Sequence, residues 1–220
     1  MATSQLSSPK QTIHSNIARS LGYYQKGILN PEAWFSIVEN DYIKILSAVN
    51  WDSLFPAPNS DYQVLDIGCG TGRFPRMLQG RLPSTIRLHY DYLDPSHYCL
   101  STCDQSLRQP ILPRHAWQTT WEHAEKFLAP GSYDVAWAIK SFYCLDQASL
   151  QTSLSRLIGA LHPFRGTACI VLAKQEAFFT QVHHTFYQEC SPHAPVPYLS
   201  AESVVAGLEK LGVCTTIREI

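Results

Sequence analysis

With 220 residues, 45% of them hydrophobic, the chain is long enough for one well-buried domain plus an N-terminal extension and short for two. A formal net charge of -1, with no Lys/Arg cluster interleaved with aromatics, offers no field for a phosphate backbone and argues against nucleic acid as a partner. Seven scattered cysteines without a C-x-x-C pair argue against a disulfide framework or a zinc ribbon, and the lack of an apolar signal core or membrane-length run points to a soluble, cytoplasmic protein that meets no membrane.

In chain order, residues 1 to 10 read as a Ser-rich tail, followed by a short helix over Thr12 to Ser20 and a glycine-bounded loop carrying Tyr23 and Tyr24. Asn30 then offers an N-cap with Pro31 at the first helical position, and Trp34, Val38, Tyr42, Ile45 and Val49 recur at helical spacing down to Val49. Such a stripe ordinarily faces a core. The expected division is an N-terminal tail and helical lid over 1–56 and a main domain over 57–220.

Gln63 to Ile67 form an apolar strand, Gly68, Gly70 and Gly72 follow at alternate positions, and Phe74-Pro-Arg-Met-Leu78 continues as a helix. Glycines at such a turn tolerate positive φ and let a ligand lie on bare backbone, while the free N–H groups opening the helix favour electronegative ligand atoms. A dinucleotide fingerprint requires its third glycine at the position of Arg73, so the early Gly72 weakens a dehydrogenase reading.

Downstream, Ile86 to Leu93 alternates in the manner of a strand and ends at Asp94-Pro-Ser96. Asp94 lies 22 residues past Gly72, near the distance at which an acid ending the second strand of a nucleotide-binding α/β fold accepts from ribose hydroxyls. A third strand is expected over His115 to Trp121, and Val135 to Ile139 is an apolar run suited to the centre of a parallel sheet. The loop Lys140-Ser-Phe-Tyr-Cys-Leu-Asp146 leaves the carboxyl end of that strand, where ligands of open α/β sheets gather. Asp146 is placed to cap a helix with its apolar stripe at Leu150, Leu154, Leu157, Ile158 and Leu161.

Between Lys174 and Leu199 an insertion carries Phe178, Phe179, Val182 and Phe186 at helical spacing. His183, His184, Cys190 and His193 within it lack an i, i+4 ligand pair, and no metal is assigned. Ser200 caps a helix to Leu211, Gly212 ends it, and Val213 to Ile220 reads as a final strand.

The string Asp66-Ile-Gly-Cys-Gly-Thr-Gly72 after an apolar strand resembles motif I of the class I S-adenosylmethionine-dependent methyltransferases, and Tyr133-Asp-Val135 and Leu161-His-Pro163 are further landmarks of that superfamily. The resemblance implies an α/β, Rossmann-like sheet with helices on both faces, here with no residues left for the last antiparallel strand. It implies S-adenosylmethionine as cofactor, held by Asp66, Gly68, Cys69, Gly70, Gly72, Asp94, Pro95 and Ile139, with Glu122 and His123 at the adenine. The absence of a D/N-P-P-Y tetrad after the fourth strand disfavours nucleobase or glutamine amide methylation. The pattern is more similar to small-molecule methyltransferases of the histamine N-methyltransferase type, which makes Lys140, Tyr143 and Cys144 acceptor-facing. Lys140 and Tyr143 are then the catalytic candidates, Lys140 by pairing with an acceptor carboxylate or helping to deprotonate the acceptor. Tyr23, Tyr24 and Glu32 are lid candidates over the substrate, because segments ahead of motif I fold over the site in such enzymes. The expected function is N- or O-methylation of a small molecule. The alternative is a weakly active or inactive binding or partner subunit of the same fold.

Overall fold

The computed structural model describes residues 36, 38–190 and 198–220, so the helix expected over 12–20, the Tyr23–Tyr24 loop, Asn30 and Trp34 lie outside the described residues. Five parallel strands make one sheet: β1 (Asp61–Ile67), β2 (Arg87–Leu93), β3 (Ile111–Trp117), β4 (Val135–Ile139) and β5 (Thr167–Val171), in the order β3-β2-β1-β4-β5. The described helices are α1 (Glu39–Ala48), α2 (Trp51–Leu54), α3 (Arg73–Gln79), α4 (His97–Ser106), α5 (Leu150–Ala160), α6 (Phe178–Cys190) and α7 (Ala201–Lys210), with 3-10 turns at Trp121–Phe127, Phe142–Cys144 and Gln147–Ser149.

Parallel strands need crossovers, and the crossovers put helices on both faces. Side-chain alternation along each strand feeds two separate cores. Val64, Leu88, Tyr90, Tyr92, Val135 and Trp137 face one layer, built on Tyr42, Ile45, Trp51, Phe74, Leu78 and Leu100 from α1 to α4. Leu65, Ile67, Ala136 and Ala138 face the other, built on Trp121 and the α5 leucines 150, 154 and 157. Small residues on this second side of β4 let α5 sit close, and Gly207 lets α7 approach α5 in turn, since a methyl there would stand 2.5 Å from Leu154 Cδ1.

Several expected elements are displaced. The N-terminal helix does not run unbroken to Val49: Val49 turns extended at φ -87°, ψ 132°, and Asn50 restarts the chain as α2 by accepting from Ser53 N at 3.3 Å. The third strand begins at Ile111 and stops at Trp117, four residues ahead of expectation at each end. Pro113 obscured it, but β3 is an edge strand, where a missing N–H is tolerated. Asp146 precedes a 3-10 turn and makes no side-chain cap bond; its backbone carbonyl accepts from Ser149 N instead. Val213 to Ile220 is not a strand, and β5 stays at the edge of the sheet among the described residues. Arg218 there donates to the Ala48 carbonyl at 2.7 Å, and Glu219 pairs with Lys174.

Candidate functional site

Strand order reverses at β1, whose neighbours β2 and β4 carry their crossovers to opposite faces, so a crevice opens beyond the carboxyl ends of β1, β2 and β4. Its mouth is open to solvent, and both apolar and polar side chains line it.

One wall is the glycine loop. Gly68 N and Cys69 N both donate to the Leu93 carbonyl, at 2.9 and 3.1 Å, tying the loop to the end of β2. Gly68 has φ 76°, and a Cβ there would stand 2.5 Å from Ser141 Cβ, so only glycine permits this approach of β1 to the loop after β4. Gly72, also at φ 76°, backs onto α4, where a Cβ would meet Cys103 Cα at 2.9 Å. Gly72 therefore shapes the loop from behind and does not line the crevice.

Two carboxylates flank this loop. Asp66 is buried and accepts from the Tyr90 hydroxyl. Burial pushes its carboxyl up from 3.8 to about 7; the Tyr90 hydrogen bond and the nearby Trp137 indole, which does not reach hydrogen-bond geometry, pull it back, and the charge of Asp94 adds to the rise. Asp94 is half-buried and open to the crevice. Its Oδ1 accepts from Ser96 N at 2.8 Å and its Oδ2 from Gly70 N at 3.1 Å. Desolvation raises it to about 6 against the pull of those two N–H groups and of Cys99. Asp94 is thus folded onto the loop, while Ser96 caps α4 by accepting from Cys99 N at 3.3 Å.

The opposite side is Ile139, Lys140, Ser141, Phe142, Tyr143, Cys144 and Leu145. Lys140 sits at φ 55°, an uncommon conformation for a non-glycine residue, and its ammonium pairs with Asp41 in the first turn of α1. Glu39, in the same turn, pairs with Arg73 at 2.8 Å. These two ion pairs hold α1 across the crevice, where the Tyr42 ring packs against Phe74 with centroids 6.2 Å apart. Burial and the charge of Asp66 keep the Tyr42 phenol above its usual range.

Of the site residues expected from sequence, Asp66, Gly68, Cys69, Gly70, Asp94, Pro95, Ile139, Lys140, Tyr143 and Cys144 line this one crevice. Glu122 and His123 do not: the preceding Thr120 and Trp121 line it, His123 is exposed with its ring bonded to Thr120 Oγ1 at 3.0 Å, and Glu122 holds a buried Oε2 without a partner. Tyr23, Tyr24 and Glu32 lie outside the described residues. Sequence reasoning missed Tyr42 and Phe74, which serve core and crevice at once, and Ser141, Phe142 and Leu145, whose apolar or neutral character gave no chemical signal.

Residues 65–167 match a family described as a methyltransferase domain. Comparison with curated proteins finds no match. Among solved structures, the chain is similar to an S-adenosylmethionine-dependent methyltransferase from Leishmania major (19% identity, 73% of this chain and 62% of that one, TM-score 0.54) and to a cyclopropane synthase from Mycobacterium tuberculosis (18%, 76% and 60%, 0.55). It is also similar to the carbon methyltransferase CurJ (16%, 93% and 60%, 0.57). The chain spans about three fifths of the length of each of these structures.

Proposed function

We propose that the chain, whose residues 65–167 match a methyltransferase domain and whose sheet runs β3-β2-β1-β4-β5, is a class I S-adenosylmethionine-dependent methyltransferase that transfers a methyl group to a nitrogen or oxygen atom of a small-molecule acceptor. The observation that carries this reading is the convergence of Gly70 and Asp94, 3.1 Å apart, on one crevice. Two features fit the cofactor: Gly68 and Gly70 line the crevice with bare backbone at positive φ, and Asp94 offers carboxylate oxygens to a ribose diol.

When bound, S-adenosylmethionine supplies a methyl group already activated on a sulfonium, with a neutral thioether as leaving group. The protein's remaining work is alignment and exclusion of water, worth roughly 7 to 11 kcal/mol in effective molarity. Tyr42, Phe74, Phe142 and Leu145 dry the crevice, and α1 covers it. Tyr143 lines the acceptor end and positions the nucleophile. Lys140 is committed to Asp41, so its role is to hold α1 in place more than to bind an acceptor carboxylate. The free cysteines among the described residues suit a reduced, cytoplasmic setting.

Calorimetry with S-adenosylhomocysteine tests the cofactor assignment. Wild type binds, and Asp94→Ala weakens binding by at least about tenfold, since hydrogen bonds to a charged group contribute about 1.5–3 kcal/mol. No binding to wild type, or equal binding by the variant, overturns it. Incubation with metabolite extracts and S-adenosylmethionine then identifies the acceptor by a mass gain of one methyl. Cofactor binding without any methylated product favours the second reading, an inactive partner subunit, which the edge of β5, paired with no further strand among the described residues and exposing Thr167 and Ala168, supports.

A further inference from the structure

The mouth of the crevice continues outward along aromatic rings from three separate stretches of chain. Tyr143 stands edge-on to Tyr198, with centroids 5.1 Å apart at 62°, and edge-on to Phe179 at 6.4 Å and 75°. Phe179, from α6, and Tyr198, from the segment ahead of α7, stack on each other at 5.8 Å and 14°. Phe179 keeps 39% of its surface exposed, and Phe178 and Val182 on the same helix are 83% and 47% exposed. Large apolar side chains left in water beside a crevice mark a binding surface more often than a packing accident.

Charge narrows what binds there. Among the described residues, the charged side chains lining the crevice are Asp66, Asp94 and Lys140. The two aspartates lie at the glycine-loop end, engaged by Tyr90, Gly70 and Ser96. Lys140 and Asp41 neutralise each other, so an incoming cation meets the ammonium and an incoming anion meets the carboxylate, each without an unpaired partner. The three rings also pack on one another at 5.1–6.4 Å between centroids, which leaves them as a continuous surface and not as a socket around an ammonium group. A flat, neutral ring loses least on entering and gains the most contact.

We propose that Tyr143, Phe179 and Tyr198 form the docking wall for an uncharged aromatic acceptor, whose ring lies against Phe179 and Tyr198 while its nucleophilic atom passes Tyr143 into the crevice. The word acceptor rests on the methyl-transfer reading of the same site; the wall itself does not.

The test is calorimetric titration of the full chain with 2-naphthol, in the presence of saturating S-adenosylhomocysteine and in its absence, alongside 2-naphthoate, 2-naphthylmethylammonium and cyclohexanol. The expected result is binding of 2-naphthol at least tenfold tighter than of the other three. Phe179→Ala and Tyr198→Leu each weaken 2-naphthol about three- to tenfold, the range that aromatic pair energies of about 0.5–1.5 kcal/mol correspond to. The affinity for S-adenosylhomocysteine stays within twofold of wild type in both variants, which also reports that they fold. Absence of 2-naphthol binding, equal binding by both variants, or a preference for either charged probe overturns the wall. Absence of S-adenosylhomocysteine binding overturns the methyl-transfer reading instead, and the titration without it still decides the wall on the same criteria.

Discussion

Replacing Asp66 by Asn isolates the cost of ionising a carboxyl group behind the glycine loop. In the folded chain burial holds Asp66 near 7 against its ordinary 3.8. A carboxyl raised in this way contributes stability that is complete below pH 3.8 and is lost as pH climbs through the folded value. Each pH unit between those limits removes about 1.4 kcal/mol from wild type and nothing from the amide, which can still accept from the Tyr90 hydroxyl. The stability difference, variant minus wild type, is therefore expected to grow by roughly 2 to 3 kcal/mol from pH 5 to pH 8 and to level off above about pH 7. Urea unfolding of both proteins at pH 5, 6, 7 and 8 measures it, because titrations common to both cancel in the difference. An offset that stays flat with pH, or that shifts against the variant as pH rises, refutes the assignment of Asp66 as a carboxyl desolvated by burial.

Gly72→Ala places a methyl group 2.8 Å from Cys103 Sγ and 2.9 Å from its Cα at a left-handed backbone position, and should cost roughly 2 to 4 kcal/mol; a thermal midpoint within a degree of wild type would count against this close approach of loop and α4. Asp91 is buried beneath β3 and accepts from Arg114 Nε at 2.8 Å, the Tyr133 hydroxyl at 2.8 Å and His115 Nδ1 at 2.9 Å. Burial raises its carboxyl, but these hydrogen bonds outweigh that and hold it below 3.8, so its contribution is present above pH 3.8 and is lost as pH falls. Asp91→Ala is expected to cost roughly 2 to 4 kcal/mol at pH 7, the partly exposed Arg114 softening the loss, and to cost less below pH 4. Chemical unfolding at the two pH values reads this, and an equal cost at both would be inconsistent with an ionised hub.

The parts of the site that were legible in sequence are those that act through backbone or through a fixed offset from it. A strand that must end, three glycines at alternate positions and an acid after the next strand leave a spacing that survives in one dimension, which is why Asp66, Gly68, Gly70 and Asp94 stand out as candidates in the sequence; all four line one crevice. The same logic explains the misplacement of the adenine-facing pair. The strand expected over His115 to Trp121 runs instead over Ile111 to Trp117, set by pairing with β2 in a register that shifts between Tyr90 and Asp91. With the strand ending at Trp117, the crevice is lined by Thr120 and Trp121, two residues ahead of Glu122 and His123.

What stayed hidden belongs to packing. Tyr42 fell within a stripe correctly read as core-facing, but a helix laid across the end of a sheet has one face that is core at its centre and crevice wall at its edge. No periodicity distinguishes the two, because both demand the same apolar spacing. The distinguishing information sits in the first turn of α1, where Glu39 and Asp41 find Arg73 and Lys140 across 34 and 99 residues of chain. Acidic residues there also complement the helix dipole and need no distant partner to be explained locally. The two pairs show why Lys140 looked like a substrate contact from sequence and serves α1 in the fold. A lone cation after the fourth strand is ambiguous until the N-terminal helix arrives, and the charge left for an acceptor depends on that arrival as much as on the loop itself.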